Sequence, residues 1–237
     1  VHRESKTVLL VALVVLTISV RVVVAQASFA GNPQVTVSVY DDASVFNETL
    51  ARAERKAAKI FSRVGLDVNW LNCTVTEKNG CGLALDEIGG PVHLVLRITP
   101  TVASSTSGTA FGVAHLGRDG TGRYGDVFWN RVQDPQGDSN VDVAMLLGSV
   151  MAHEMGHLLL GSNAHAVSGI MRARWEHGEL RRIGMDSLLF LPEQGTRMRD
   201  RVSRRQEFLV SSGESVRDLS IQPSCSDRAM KEERRFK

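Results

Sequence analysis

Val35-Thr36-Val37-Ser38-Val39-Tyr40 alternates apolar and polar side chains with a period of two, which predicts a strand ended by Asp41-Asp42. Over residues 44–64 the period changes. Val45, Phe46, Leu50, Ala53, Ala57, Ile60, Phe61 and Val64 fall on one helical face, with Arg, Lys and Glu on the other, and Gly65 is placed to stop the helix. Residues 66–71 alternate again, and 92–98 form an apolar run suited to a buried strand. The opening order is therefore strand, helix, strand, strand, and its first crossover suits a parallel pair. Residues 72–90, rich in Gly and Asn, read as a surface loop.

Two more strands are expected at 109–116 and 126–132, joined across the Gly-rich segment 117–125 as a wide hairpin. Residues 141–160 are apolar on nearly every face, which predicts a buried helix. From Arg172 the chain turns polar, and 188–191 then lead into a last helix with Pro192 near its first position and its end near Gln206. The segment 211–237 mixes Ser, Glu, Arg and Lys and is expected to be a disordered tail. The pattern gives an α+β class in one domain, 28–210.

At 237 residues, with 43% hydrophobic and 23% charged, the chain has ordinary globular composition. Its N-terminus is distinctive. A polar, mostly basic start is followed by an apolar run of about 14 residues from Thr7 and by Ala25-Gln26-Ala27, the pattern of a secretory signal peptide cleaved after Ala27. The run is shorter than the roughly 20 residues of a membrane span. A secreted or periplasmic protein with no membrane anchor after cleavage is expected. Cleavage takes away three of 28 basic and one of 26 acidic residues, leaving 25 of each, so no nucleic-acid partner is indicated. In an oxidising compartment Cys73 and Cys81 are close enough in sequence to close a short disulfide loop, which leaves Cys225 over. Asn47-Glu48-Thr49 and Asn72-Cys73-Thr74 match glycosylation acceptors.

The candidate chemistry lies in the apolar helix, at His153-Glu154-Met155-Gly156-His157. Histidines four apart on a helix share a face, so both imidazoles can reach one ion. Glu154 is then beside the ion without binding it, where its carboxylate can take a proton from water. Unliganded imidazoles and a carboxylate buried in so apolar a helix would cost several kcal/mol without partners, and a metal resolves that cost. His165 is the candidate third ligand. On a continued helix it would lie about 12 Å beyond His157, so the chain must reverse, and Gly161 tolerates the left-handed conformation that ends helices. A carboxylate downstream, Glu176 or Glu179, is the alternative third ligand. Three imidazoles and one open position describe a catalytic Zn2+ site rather than a closed structural one.

These residues resemble the metzincin metallopeptidases, whose pattern is His-Glu-x-x-His-x-x-Gly-x-x-His followed by a Met-turn. His153, Glu154 and His157 match directly. Gly161 comes one residue late, and His165 lies eight residues after His157 instead of six. Ser168-Gly169-Ile170-Met171 looks like the Met-turn, with Met171 as the floor under the metal. The resemblance spans roughly 35–206, and its specific support is confined to 153–171. It implies a mixed twisted sheet of about five strands with a backing helix, a buried active-site helix and a C-terminal helix. It further implies a secreted, monomeric zinc endopeptidase acting on a peptide or protein substrate laid along an edge strand, with 109–116 the candidate. Many relatives carry a Tyr two residues after the Met-turn methionine; here that position is Ala173. No cysteine precedes Cys73, so no cysteine switch is expected. A zinc-binding or partner-binding module without turnover is the competing reading. Arg172, Arg174 and Trp175 read as a solvated basic turn or as contacts to a peptide carboxylate, the arginines of the last helix as an exposed face, and His93 and His115 receive no role.

Overall fold

The computed structural model describes residues 31–73, 92–101, 110–133 and 141–211, the last helix with side chains to 207. The signal-peptide segment, Cys81 and the loop around it, the first residue of the expected strand at 109–116, and the tail beyond 211 lie outside the described residues. Everything below belongs to the unit Asn32–Lys237.

Five strands form one mixed sheet in the order β2-β1-β3-β5-β4. They are β1 (Gln34–Asp41), β2 (Asp67–Cys73), β3 (His93–Thr99), β4 (Gly112–His115) and β5 (Tyr124–Phe128). The pairs β1–β2, β1–β3 and β3–β5 are parallel, and β4 runs antiparallel to β5 as the edge strand. The alternation in β1 places Val35, Val37 and Val39 in the core, yet Thr36 and Ser38 are buried too. The polar face is satisfied internally: the Ser38 hydroxyl is 2.8 Å from His93 Nε2.

Helix α1 (Asn47–Ser62) ends as its sequence demands, with Gly65 at φ +70° and the Leu66 N–H returning to the Phe61 carbonyl at 3.1 Å. Its start is three residues later than expected. The Asp41 carboxylate accepts from the N–H groups of Ala43 and Val45, which holds the preceding residues in a turn. Cys73, at the end of β2, is disulfide-bonded.

One expected strand is corrected. Residues 126–132 do not continue extended: β5 stops at Phe128, where its partner β3 ends at Thr99, and α2 (Trp129–Gln133) follows. With no strand left to pair, the backbone satisfies itself helically and turns Val132 into the core.

Helix α3 (Val143–Leu160) is capped by the Asp142 carboxylate, which accepts from Ala144 and Met145 N–H, and ends at Gly161 with φ +63°. It is buried along almost its whole length. Gly148 permits its close contact with α1, since a Cβ there would lie 2.3 Å from the Ala53 carbonyl oxygen. Helix α4 (His177–Gly184) was not expected from its polar composition and Gly178. It forms because Glu176 and Glu179 cap its first turn reciprocally and Leu180 and Ile183, three apart, bury one face. Helix α5 (Pro192–Ser211) starts at the expected proline and extends past Gln206. Met198 and Val202 face the core. Arg199 departs from the exposed-face reading, for its guanidinium donates to the Val64 carbonyl at the end of α1.

Candidate metal centre and cleft

The buried α3 supplies His153, Glu154 and His157, at 9%, 4% and 4% exposure, so water hardly reaches them from the helix side. His165 comes from the return loop. Gly161 in the left-handed region breaks the helix, and Ser162 then clasps His157 twice: its N–H donates to the His157 carbonyl at 3.2 Å, and its carbonyl accepts from His157 Nδ1 at 2.7 Å. The loop closes on itself through Ala166 N–H to the Met171 carbonyl at 2.8 Å. One ligand nitrogen from each of His153, His157 and His165 falls within 4.8 Å of the others. The reversal inferred at Gly161 thus overcomes the longer spacing.

The tautomers follow from the partners. His153 Nδ1 donates to the Ile170 carbonyl at 2.7 Å, as His157 Nδ1 does to Ser162, and a carbonyl can only accept. In the neutral rings the lone pair is therefore on Nε2. These two nitrogens are 3.1 Å apart, lone pair facing lone pair. Tetrahedral zinc at about 2.0–2.1 Å from each nitrogen would need a separation of about 3.3 Å, so the pair fits such an ion. Burial, reinforced by the other imidazoles, lowers His153 to about 3, and burial lowers His157 and His165 as well. All three rings are kept neutral, the form that binds a metal.

Glu154 stands outside the imidazole cluster. Burial, with the Asp126 carboxylate next, pushes its carboxyl up to about 8. It is pressed against the edge hairpin, where Gly112 makes room: a Cβ there would lie 2.7 Å from Glu154 Oε1. Met171 is fully buried beneath α3, its sulfur 2.6 Å from where a Gly156 Cβ would be. Gly156 is what lets the turn carrying Met171 reach the underside of the helix.

The alternative third ligands are otherwise occupied. Glu179 Oε2 accepts from Arg172 Nη1 at 2.8 Å and from the Glu176 N–H at 3.1 Å, and neither carboxylate joins the imidazole cluster. Arg172 is accordingly a structural ion pair. Arg174 is exposed and has no ion-pair partner among the described residues.

The imidazoles open into a cleft of about 540 Å³. One wall is Phe111, Gly112, Val113 and Ala114 at the edge strand; the other is Arg172 to His177. Sequence reasoning had Phe111 and Gly112 only within the segment 109–116 expected to take the substrate, with no individual role, and missed Asp126. A glycine inside an expected strand was the available signal, since it marks close approach of another group. Nothing local marked Asp126, whose carboxylate also lies 2.8 Å from His115 Nε2.

No family model matches the sequence, and no curated protein matches it. Among solved structures, the chain is similar to archaemetzincin from Methanopyrus kandleri, at 16% identity and a TM-score of 0.46, over 75% of this chain and 99% of that one. This is a distant likeness in the course of the chain, and the roles of His153, Glu154, His157 and His165 rest on their geometry.

Proposed function

We propose that the protein is a zinc-dependent peptidase with Glu154 as general base. The observation that carries this reading is the convergence of His153, His157 and His165, two of them with Nδ1 committed to carbonyls and Nε2 turned toward a shared point. Zinc held there would supply a Lewis acid and an activated water near neutral pH. Three neutral imidazoles leave a coordination position for substrate or water, and the open cleft on that side distinguishes the site from a closed structural one.

The chain's own residues then have defined tasks. Burial holds the metal-free Glu154 carboxyl in its neutral form near pH 7, and the positive charge of bound zinc would favour the carboxylate, the form that can take a proton from the attacking water and return it to the leaving amine. β4 is the sheet's edge and lines the cleft, so an extended peptide can add to it as a further strand. Phe111 and Trp175 offer apolar contact to substrate side chains, and Arg174 offers a cation to a carboxylate. The N-terminal leader pattern supports secretion, which puts this hydrolysis outside the cytoplasm.

Metal analysis combined with cleavage of a peptide library tests the proposal. The wild type is expected to bind one zinc and cleave, and Glu154→Gln to keep zinc while losing about 10²–10⁴ in turnover. Undiminished cleavage by Glu154→Gln sinks the mechanism, and stoichiometric zinc without cleavage by the wild type favours the non-catalytic module.

A further inference from the structure

The Ile170 carbonyl, which fixes the His153 tautomer, has a second donor. Trp175 Nε1–H reaches it at 3.2 Å, beside the 2.7 Å bond from His153 Nδ1. A carbonyl oxygen has two lone pairs, and here both are taken. The other side of the same residue is fixed as well, since the Ile170 N–H donates to the Leu189 carbonyl at 2.9 Å. The Trp175 ring stands edge-on to the His153 ring at 5.5 Å and lies 6.0 Å from Phe111 across the cleft. An indole in a cleft wall could satisfy its single donor with water. Instead it is directed inward to an acceptor that already has one partner, and that partner is a candidate ligand.

We propose that Trp175 is a positioning residue for the metal centre: its indole N–H holds the Ile170 carbonyl in place and so aims His153 Nε2 at the ligand point. The role rests on the metal-centre reading given above. Outer partners of metal-bound histidines orient the ring and raise its basicity, and their loss commonly lowers metal affinity about 10–100-fold. Trp175 acts one step further out, through the carbonyl. Its ring also lines the substrate cleft, so substrate contacts and ligand orientation meet in one side chain.

The test uses the full chain, stripped of metal and titrated with zinc against a chromophoric chelator. Trp175→Phe, which keeps an aromatic ring and loses the donor, is expected to weaken zinc binding about 10-fold. The melting temperature of the metal-free variant should stay within about 4 °C of wild type, the shift that one lost hydrogen bond produces. Phe111→Leu, which leaves the indole donor in place, should bind zinc as the wild type does. Affinity of Trp175→Phe within about two-fold of wild type overturns the role, as does an equal loss in Phe111→Leu. An NMR measurement on the wild type needs no variant to fold. With 15N-labelled tryptophan, zinc should shift the indole N–H of Trp175 more than those of Trp70 and Trp129, and an unmoved Trp175 signal overturns the role. Absence of zinc binding by the wild type overturns the metal reading together with this role, whereas zinc binding indifferent to position 175 overturns this role alone.

Discussion

The two halves of the imidazole cluster are built differently. His153 and His157 sit in the middle of α3, a capped helix with buried residues on both sides, and their spacing is a property of the helix itself. His165 and Met171 sit on a return loop held by individual contacts, among them one left-handed glycine, the two bonds between Ser162 and His157, the bond from Ala166 to Met171 and those at the Ile170 backbone. The helix half tolerates no change of register. The loop half spans the seven residues between His157 and His165 and brings the imidazole back to the helix, because a loop meets an end-to-end constraint at little cost per residue.

Removing a ligand from each half tests this contrast most severely. His157→Ala is expected to abolish stoichiometric zinc binding, since it takes away both a proposed ligand and the side-chain bond to the Ser162 carbonyl. His165→Ala should leave a weaker two-histidine site, detectable by competition with a chelator. Equal zinc affinity in the two variants would erase the distinction between the halves.

Met171→Ala is the next largest change. It empties space under Gly156 in the core and is expected to destabilise the fold by about 2–5 kcal/mol in denaturant unfolding, a loss too large for a loop that merely covers the helix. A third test reads pH, in the metal-free protein. Burial lowers His153 from 6.5 to about 3, so below pH 4.5 the unfolded chain takes up a proton that the folded one refuses, and stability falls as pH falls. Burial raises Glu154 from 4.5 to about 8, so above pH 6.5 the folded chain keeps a proton that the unfolded one has lost, and stability falls as pH rises, levelling off near 8. Between 4.5 and 6.5 the two effects oppose each other. Each arm is worth about 2 kcal/mol, and Glu154→Gln should abolish the alkaline arm alone. Gly161→Ala carries the left-handed cost of about 1–2 kcal/mol and adds a Cβ that would lie 2.7 Å from the Gly120 carbonyl oxygen and displace the Arg201 guanidinium, so at least that loss is expected, with zinc affinity falling too if this glycine sets the return of His165.

What could be read in the sequence was local and periodic. The alternation of β1, the amphipathic face of α1, the apolar length of α3 and the four-residue interval from His153 to His157 each repeat a backbone geometry, so neighbours in sequence suffice to reveal them. α4 escaped because its stability comes from reciprocal capping and two buried side chains, and the end of β5 escaped because a strand stops where its partner stops. The same division holds in the site. The sequence by itself determined that His153 and His157 share a helix face with Glu154 between them, and it located the reversal at Gly161. Only the tertiary structure decided that Ile170 and Ser162 carbonyls fix the imidazole tautomers, that Gly112 and Asp126 crowd Glu154, that Arg172 holds Glu179 away from the metal centre, and that Trp175 shares the carbonyl of Ile170. Those contacts join residues from different elements. No repeating backbone geometry links them, and they exist only once the sheet, α3 and the return loop have packed together.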